Sequence, residues 1–141
     1  MKVIMLKGKD DSGKTTTLNL VYDEYYSDKG VSSVKKALGD SSKDFSAHII
    51  YKGKLIVFYT EGDYEYPVPR IMKLCEELSV DVLVCAANTN RTRPVEQIKN
   101  YPHEIIKKTE ISSNDVAAQK VANVKDAEKI HLAIKQSIEQ S

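Results

Sequence analysis

Cysteine is scarce in this chain, tryptophan is absent, and neither sign of charge dominates. The two cysteines, Cys75 and Cys85, stand apart inside apolar runs. Their spacing matches neither a zinc site nor a redox pair, so both read as small core residues and a reducing, cytosolic compartment is expected. Lysine and arginine total 21 against 20 aspartates and glutamates. That balance argues against a general nucleic-acid or membrane surface. The first apolar run, Val3–Leu6, is too short to span a bilayer, and no cleavage pattern follows it. Repeats, low-complexity tracts and linkers are missing. The chain's 141 residues suffice for one domain, 1–141, with its own core. His48, His103 and His131 are scattered, and no Ser-His-Asp or metal-ligand spacing occurs. Eight tyrosines are uneven usage but carry no function of their own.

What the chain does have is Gly8-Lys9-Asp10-Asp11-Ser12-Gly13-Lys14-Thr15. The run fits G-x-x-x-x-G-K-[ST], and the chemistry of phosphate binding needs that spacing. Glycines at both ends let the backbone curl so that successive N–H groups point inward. Lys14 adds a positive charge, Thr15 a hydroxyl, and the following helix directs its positive end at an anion. The flanks agree. Lys2–Lys7 suits a buried strand, and Leu18, Val21, Tyr22 and Tyr25 recur at helical spacing. On these residues the chain resembles the P-loop NTPases. The resemblance implies a nucleotide ligand, ATP or another NTP, with Mg²⁺.

Along the rest of the chain, the first helix is expected to end near Asp28-Lys29-Gly30, and Val31–Leu38 fits either a short strand or a helical turn. Residues 39–44 form a polar loop. His48–Tyr51 and Leu55–Tyr59, joined through Lys52-Gly53-Lys54, predict an antiparallel hairpin. The second of these runs is the more apolar, which places it centrally beside the strand that precedes the loop, with the first at an edge. Pro69 suits a first helical turn, and Val68, Ile71, Met72, Cys75 and Leu78 make one apolar stripe. Val80–Ala87 reads as a buried parallel strand. Pro94 opens a short helix, and Glu104–Lys107 is a weaker strand. Ser112–Asp115 caps a long helix with a break near Asn123, whose core face is Val124, Ala127, Ile130, Ile134 and Ile138. The expected fold is α/β: a three-layer α/β/α sandwich around a mainly parallel sheet with one antiparallel hairpin strand.

Ligands of such sheets gather at the carboxyl ends of the strands. Three polar clusters belong there: the loop, Glu61–Asp63, and Asn88–Arg93. The resemblance implies that Gly8, Asp11, Ser12, Gly13, Lys14, Thr15 and Thr16 hold phosphates, and that Thr15 binds the metal. A carboxylate is expected beside it, first Asp63 and second Glu61, with Asp40 and Asp44 also open. Arg91 or Arg93 would neutralise charge in phosphoryl transfer, and Asn88 would orient a base or a water. The layout up to about residue 93 is similar to Ras-like GTPases. However, Tyr59-Thr60-Glu61-Gly62 keeps only the glycine of their Asp-x-x-Gly motif, and Asn88-Thr89-Asn90-Arg91 keeps only the asparagine of their guanine motif. Two functions are therefore expected. One is an Mg²⁺-dependent phosphoryl-transfer enzyme, acting on water or on a small acceptor. The other is a non-catalytic nucleotide-binding module that controls a protein partner.

Overall fold

The computed structural model describes residues 1–28, 31–37, 44–60, 67–90, 93–112 and 114–139. Its elements are β1 (Lys2–Gly8), α1 (Lys14–Tyr26), β2 (Ser32–Ala37), β3 (Phe45–Tyr51), β4 (Lys54–Tyr59), α2 (Pro67–Glu77), β5 (Val82–Asn88), α3 (Arg93–Ile98), β6 (His103–Lys107) and α4 (Val116–Glu139). The described strands form one α/β sheet in the order β2-β3-β4-β5-β1-β6. β4, β5, β1 and β6 pair in parallel, while β2–β3 and β3–β4 are antiparallel.

The most apolar strands sit where burial is deepest. β5 is buried along its whole length and lies between β4 and β1. A continuous apolar run is the signature of a strand covered on both faces. Side chains of β1 alternate between two cores. Ile4 and Leu6 pack with Leu18, Val21, Tyr22 and Tyr25 of α1 and Ala127, Ile130 and Ile134 of α4. Val3 and Met5 pack with Met72 and Cys75 of α2 and Ile98 of α3. Burial pushes the Cys75 thiol up to about 11 and the Cys85 thiol up to about 12, so both stay protonated and behave as core hydrophobes.

Five expectations need correction. β4 does not lie beside β1, because the fully buried β5 takes that place. β3 is not an edge. β2 adds to it with Ser32 opposite Ile50 and Ala37 opposite Phe45. Because β2 is antiparallel to β3 it runs with β4, which leaves β3 as the one antiparallel strand among those described, as expected. Within the 31–38 stretch, Ser32–Ala37 forms this edge strand. Lys35 lays its ammonium over the Phe45 ring, 4.6 Å from the centroid, and donates to Asn19 of α1. α4 is unbroken at Asn123, whose side chain meets Thr17 instead of competing for its own backbone. Finally, Leu78 falls past the end of α2 and Val124 lies off the buried face of α4, so both are exposed. The hairpin stands as expected: Lys52 (φ 51°) and Gly53 (φ 76°) are both left-handed, as a tight two-residue turn requires. α1 stops slightly early, at Ser27, which donates its N–H to the Asp23 carbonyl.

Candidate functional site

β1 delivers the chain to Gly8 and α1 begins at Lys14, so the intervening residues turn from strand into helix within a few positions. Gly13 caps the helix at φ 93°, ψ 19°, a left-handed conformation natural to glycine. A Cβ at Gly13 would lie 2.6 Å from Asn123 Oδ1, and one at Gly8 would lie 2.7 Å from Lys108 Cβ. Lys108 therefore leaves no room for a side chain at Gly8, while at Gly13 the left-handed backbone disfavours one and Asn123 of α4 would have to give way.

Inside the turn, the Lys14 ammonium donates to the carbonyls of Gly8 (2.9 Å) and Lys9 (2.6 Å). Lys14 is buried despite its charge. Ser12 Oγ is buried and has no hydrogen-bond partner among the described residues. Thr17 donates to the Gly13 carbonyl at 2.7 Å, tying the first helical turn to its cap. Thr15 donates to Asp44 Oδ1 at 2.8 Å, and Thr60 donates to the same oxygen at 2.9 Å. Thr60 in turn accepts the Phe45 N–H at 2.8 Å. Asp44 thus joins the loop to the start of β3 and the end of β4.

Two struts hold the loop from its flanks. At the tip of β5, Asn88 Nδ2 donates to Asp10 Oδ1 (2.5 Å), Asn88 Oδ1 accepts the Asn90 N–H, and the Thr89 N–H meets the Gly8 carbonyl. Beyond β6, Lys108 and Asp126 form an ion pair of 2.9 Å with side chains 1% and 0% exposed. The Thr109 N–H and hydroxyl complete the Asp126 carboxylate, each at 2.8 Å. Burial by itself would raise the Asp126 pKa. The hydrogen bonds from Lys108 and Thr109 outweigh it and hold the carboxyl below its usual range.

The result is a groove of about 870 Å³ running from the loop to α4. Asp11, Ser12, Gly13, Lys14, Thr15 and Thr16 line it, as expected, and Asp44 and Thr60 join them. The opposite wall is Lys108–Ile111 with Gln119, Ala122 and Asn123. Lys9 and Glu110 face each other across it at 3.4 Å. Gly8 supplies the base of the loop, and Asn88 braces Asp10 rather than lining the groove. Glu61, Asp63, Arg91 and Asp40 lie outside the described residues, and Arg93 opens α3. The carboxylate that meets Thr15 among the described residues is Asp44. The far wall was not anticipated. Its signal was the polar run Lys107–Glu110 at the carboxyl end of β6, a fourth strand-end cluster beside the three recognised.

Comparison with family models, with curated proteins and with solved structures returned no match for this chain.

Proposed function

We propose that the chain is a P-loop nucleotide-binding protein with the three-layer α/β/α arrangement of that class, taking ATP or a related NTP together with Mg²⁺. The observation that carries this reading is the turn itself. A lysine ammonium is folded over two loop carbonyls at a helix N-terminus, in a turn bounded by a crowded Gly8 and a left-handed Gly13, beside a buried Ser12 hydroxyl without a partner among the described residues. A phosphate oxygen would satisfy Ser12, and the same ammonium would hold negative charge. Thr15 and Asp44 are the oxygen donors that suit Mg²⁺, which keeps several waters and needs few protein ligands. The metal would supply charge neutralisation at the transferred phosphoryl group. The chain's own contribution is binding by Ser12–Thr16, electrostatic stabilisation by Lys14, and orientation of the Thr15 hydroxyl by Asp44. Arg91 or Arg93, after β5, would supply a further positive charge. Phosphoryl transfer to water or a small acceptor is the activity this arrangement supports best.

One observation favours the alternative of a nucleotide-controlled module. Asp44 ties the Thr15 hydroxyl to Thr60 and hence to the β3–β4 hairpin, so occupancy at Thr15 would be felt in that part of the sheet. Calorimetry and phosphate release with Mg²⁺ATP separate the readings. Turnover that vanishes in Lys14→Ala supports the enzyme. Binding that needs Lys14 without turnover supports the module. Absence of binding by ATP and GTP overturns both.

A further inference from the structure

The side of α4 turned away from the sheet carries its own pattern, distinct from the buried one. Ala122, Asp126, Ala127, Ile130, Ala133 and Ile134 face inward. On the other side Val121, Val124 and Leu132 are 57%, 48% and 55% exposed, with Lys125 and Glu128 among them. Val121, Lys125, Glu128 and Leu132 follow one another in steps of four, three and four residues. Side chains at those steps are neighbours along one helical seam, which here covers about 16 Å. The support is firm: α4 runs unbroken from Val116 to Glu139, and Asp115 caps it by accepting the Ala118 N–H.

The seam is its own complement under two-fold symmetry. Two antiparallel copies with the axis between Asp126 and Ala127 set Val121 against Leu132 of the partner subunit and Lys125 against Glu128 of the partner subunit. The symmetry repeats each pair, so the apolar contact and the opposite-charge contact each occur twice. A parallel arrangement would instead oppose lysine to lysine and glutamate to glutamate, which is unfavourable. Lys129 leans toward Asp126 (3.8 Å), which leaves Lys125 as the cation of the seam. We propose that a second copy of this chain docks antiparallel on this face, giving an isologous dimer across α4. A contact of this size is weak and sensitive to salt.

Sedimentation velocity over a concentration series of the full chain tests it, with Lys125→Glu, Glu128→Lys and the double exchange. All are exposed positions, and circular dichroism verifies that each variant folds. The wild type is expected to show a monomer–dimer equilibrium. Each single reversal sets like charges opposite one another twice and should weaken association by about tenfold or more. The double exchange restores the pairing and should recover to within about threefold of the wild type. A wild type that stays monomeric at every concentration overturns the proposal. So does a dimer indifferent to the single reversals, or a double exchange that fails to recover.

Discussion

Gly13 and Asp126 show how much single positions here rest on their neighbours. Gly13 combines a left-handed backbone with Asn123 against its Cα. Gly13→Ala should therefore cost about 1–3 kcal/mol. The clash with Asn123 is the removable part, so Gly13→Ala/Asn123→Ala should recover some of the loss in a urea titration. Asp126 neutralises a lysine that is almost wholly buried. Asp126→Ala leaves that charge unpaired and should cost about 3–5 kcal/mol. The acid side has a definite sign. The folded pKa of Asp126 lies below its unfolded value of about 3.9, so its contribution is complete above that pH and is lost as pH falls through the folded value. Melting temperature against pH should accordingly fall more steeply below about pH 4 in the wild type than in Asp126→Asn. Among the loop residues, Lys14 and Thr15 were legible from spacing alone. Asp44 was one of four open candidates, because nothing local in a polar loop says which carboxylate reaches a hydroxyl 29 positions away.

At the scale of elements, the junction of α1 with the β3–β4 hairpin is the informative place. Thr15, Asp44 and Thr60 belong to three different segments and share one carboxylate oxygen. Asp44→Asn keeps the shape and removes the charge. It should reduce the gain in ATP affinity that Mg²⁺ brings by about tenfold or more while leaving Mg²⁺-free binding within about twofold, as read by calorimetry with and without EDTA. Thr60→Val should have a smaller effect in the same direction, because Asp44 keeps its bond to Thr15. The hairpin and the buried strand β5 were legible because turn chemistry and continuous apolarity are local signals. Strand order was not. Whether β4 or β5 adjoins β1 depends on which strand is buried on both faces over its full length, and that comparison spans the chain. The far wall of the groove escaped for the same reason: Lys108 and Asp126 are 18 residues apart, and only the docking of α4 brings them together.

Taken whole, the molecule gathers the loop, the start of β3, the end of β4, the segment after β6 and the flank of α4 around one groove. A ligand held there touches all of these parts at once, so binding should stabilise the entire fold. At a ligand concentration of 100 times Kd the gain is about 2.7 kcal/mol. A thermal-shift series with ATP, GTP, ADP and dNTPs, with and without Mg²⁺, should show the rise for triphosphates and lose it in Lys14→Ala. No helix among the described residues is long and apolar enough to cross a membrane.

The position of β1 has a consequence for how the chain comes together. The strand that carries the loop is made before both strands that flank it, β5 and β6, which lie beyond residue 81. On a ribosome the glycine turn would emerge long before anything exists to clasp it. Local pairing is available earlier to the β2–β3–β4 meander, which closes over short loops. The meander is thus placed to form first, and insertion of β1 between two late partners becomes the step that shapes the turn. Assembly of the groove is in that sense the final act of folding, and it waits on the carboxyl-terminal third of the molecule.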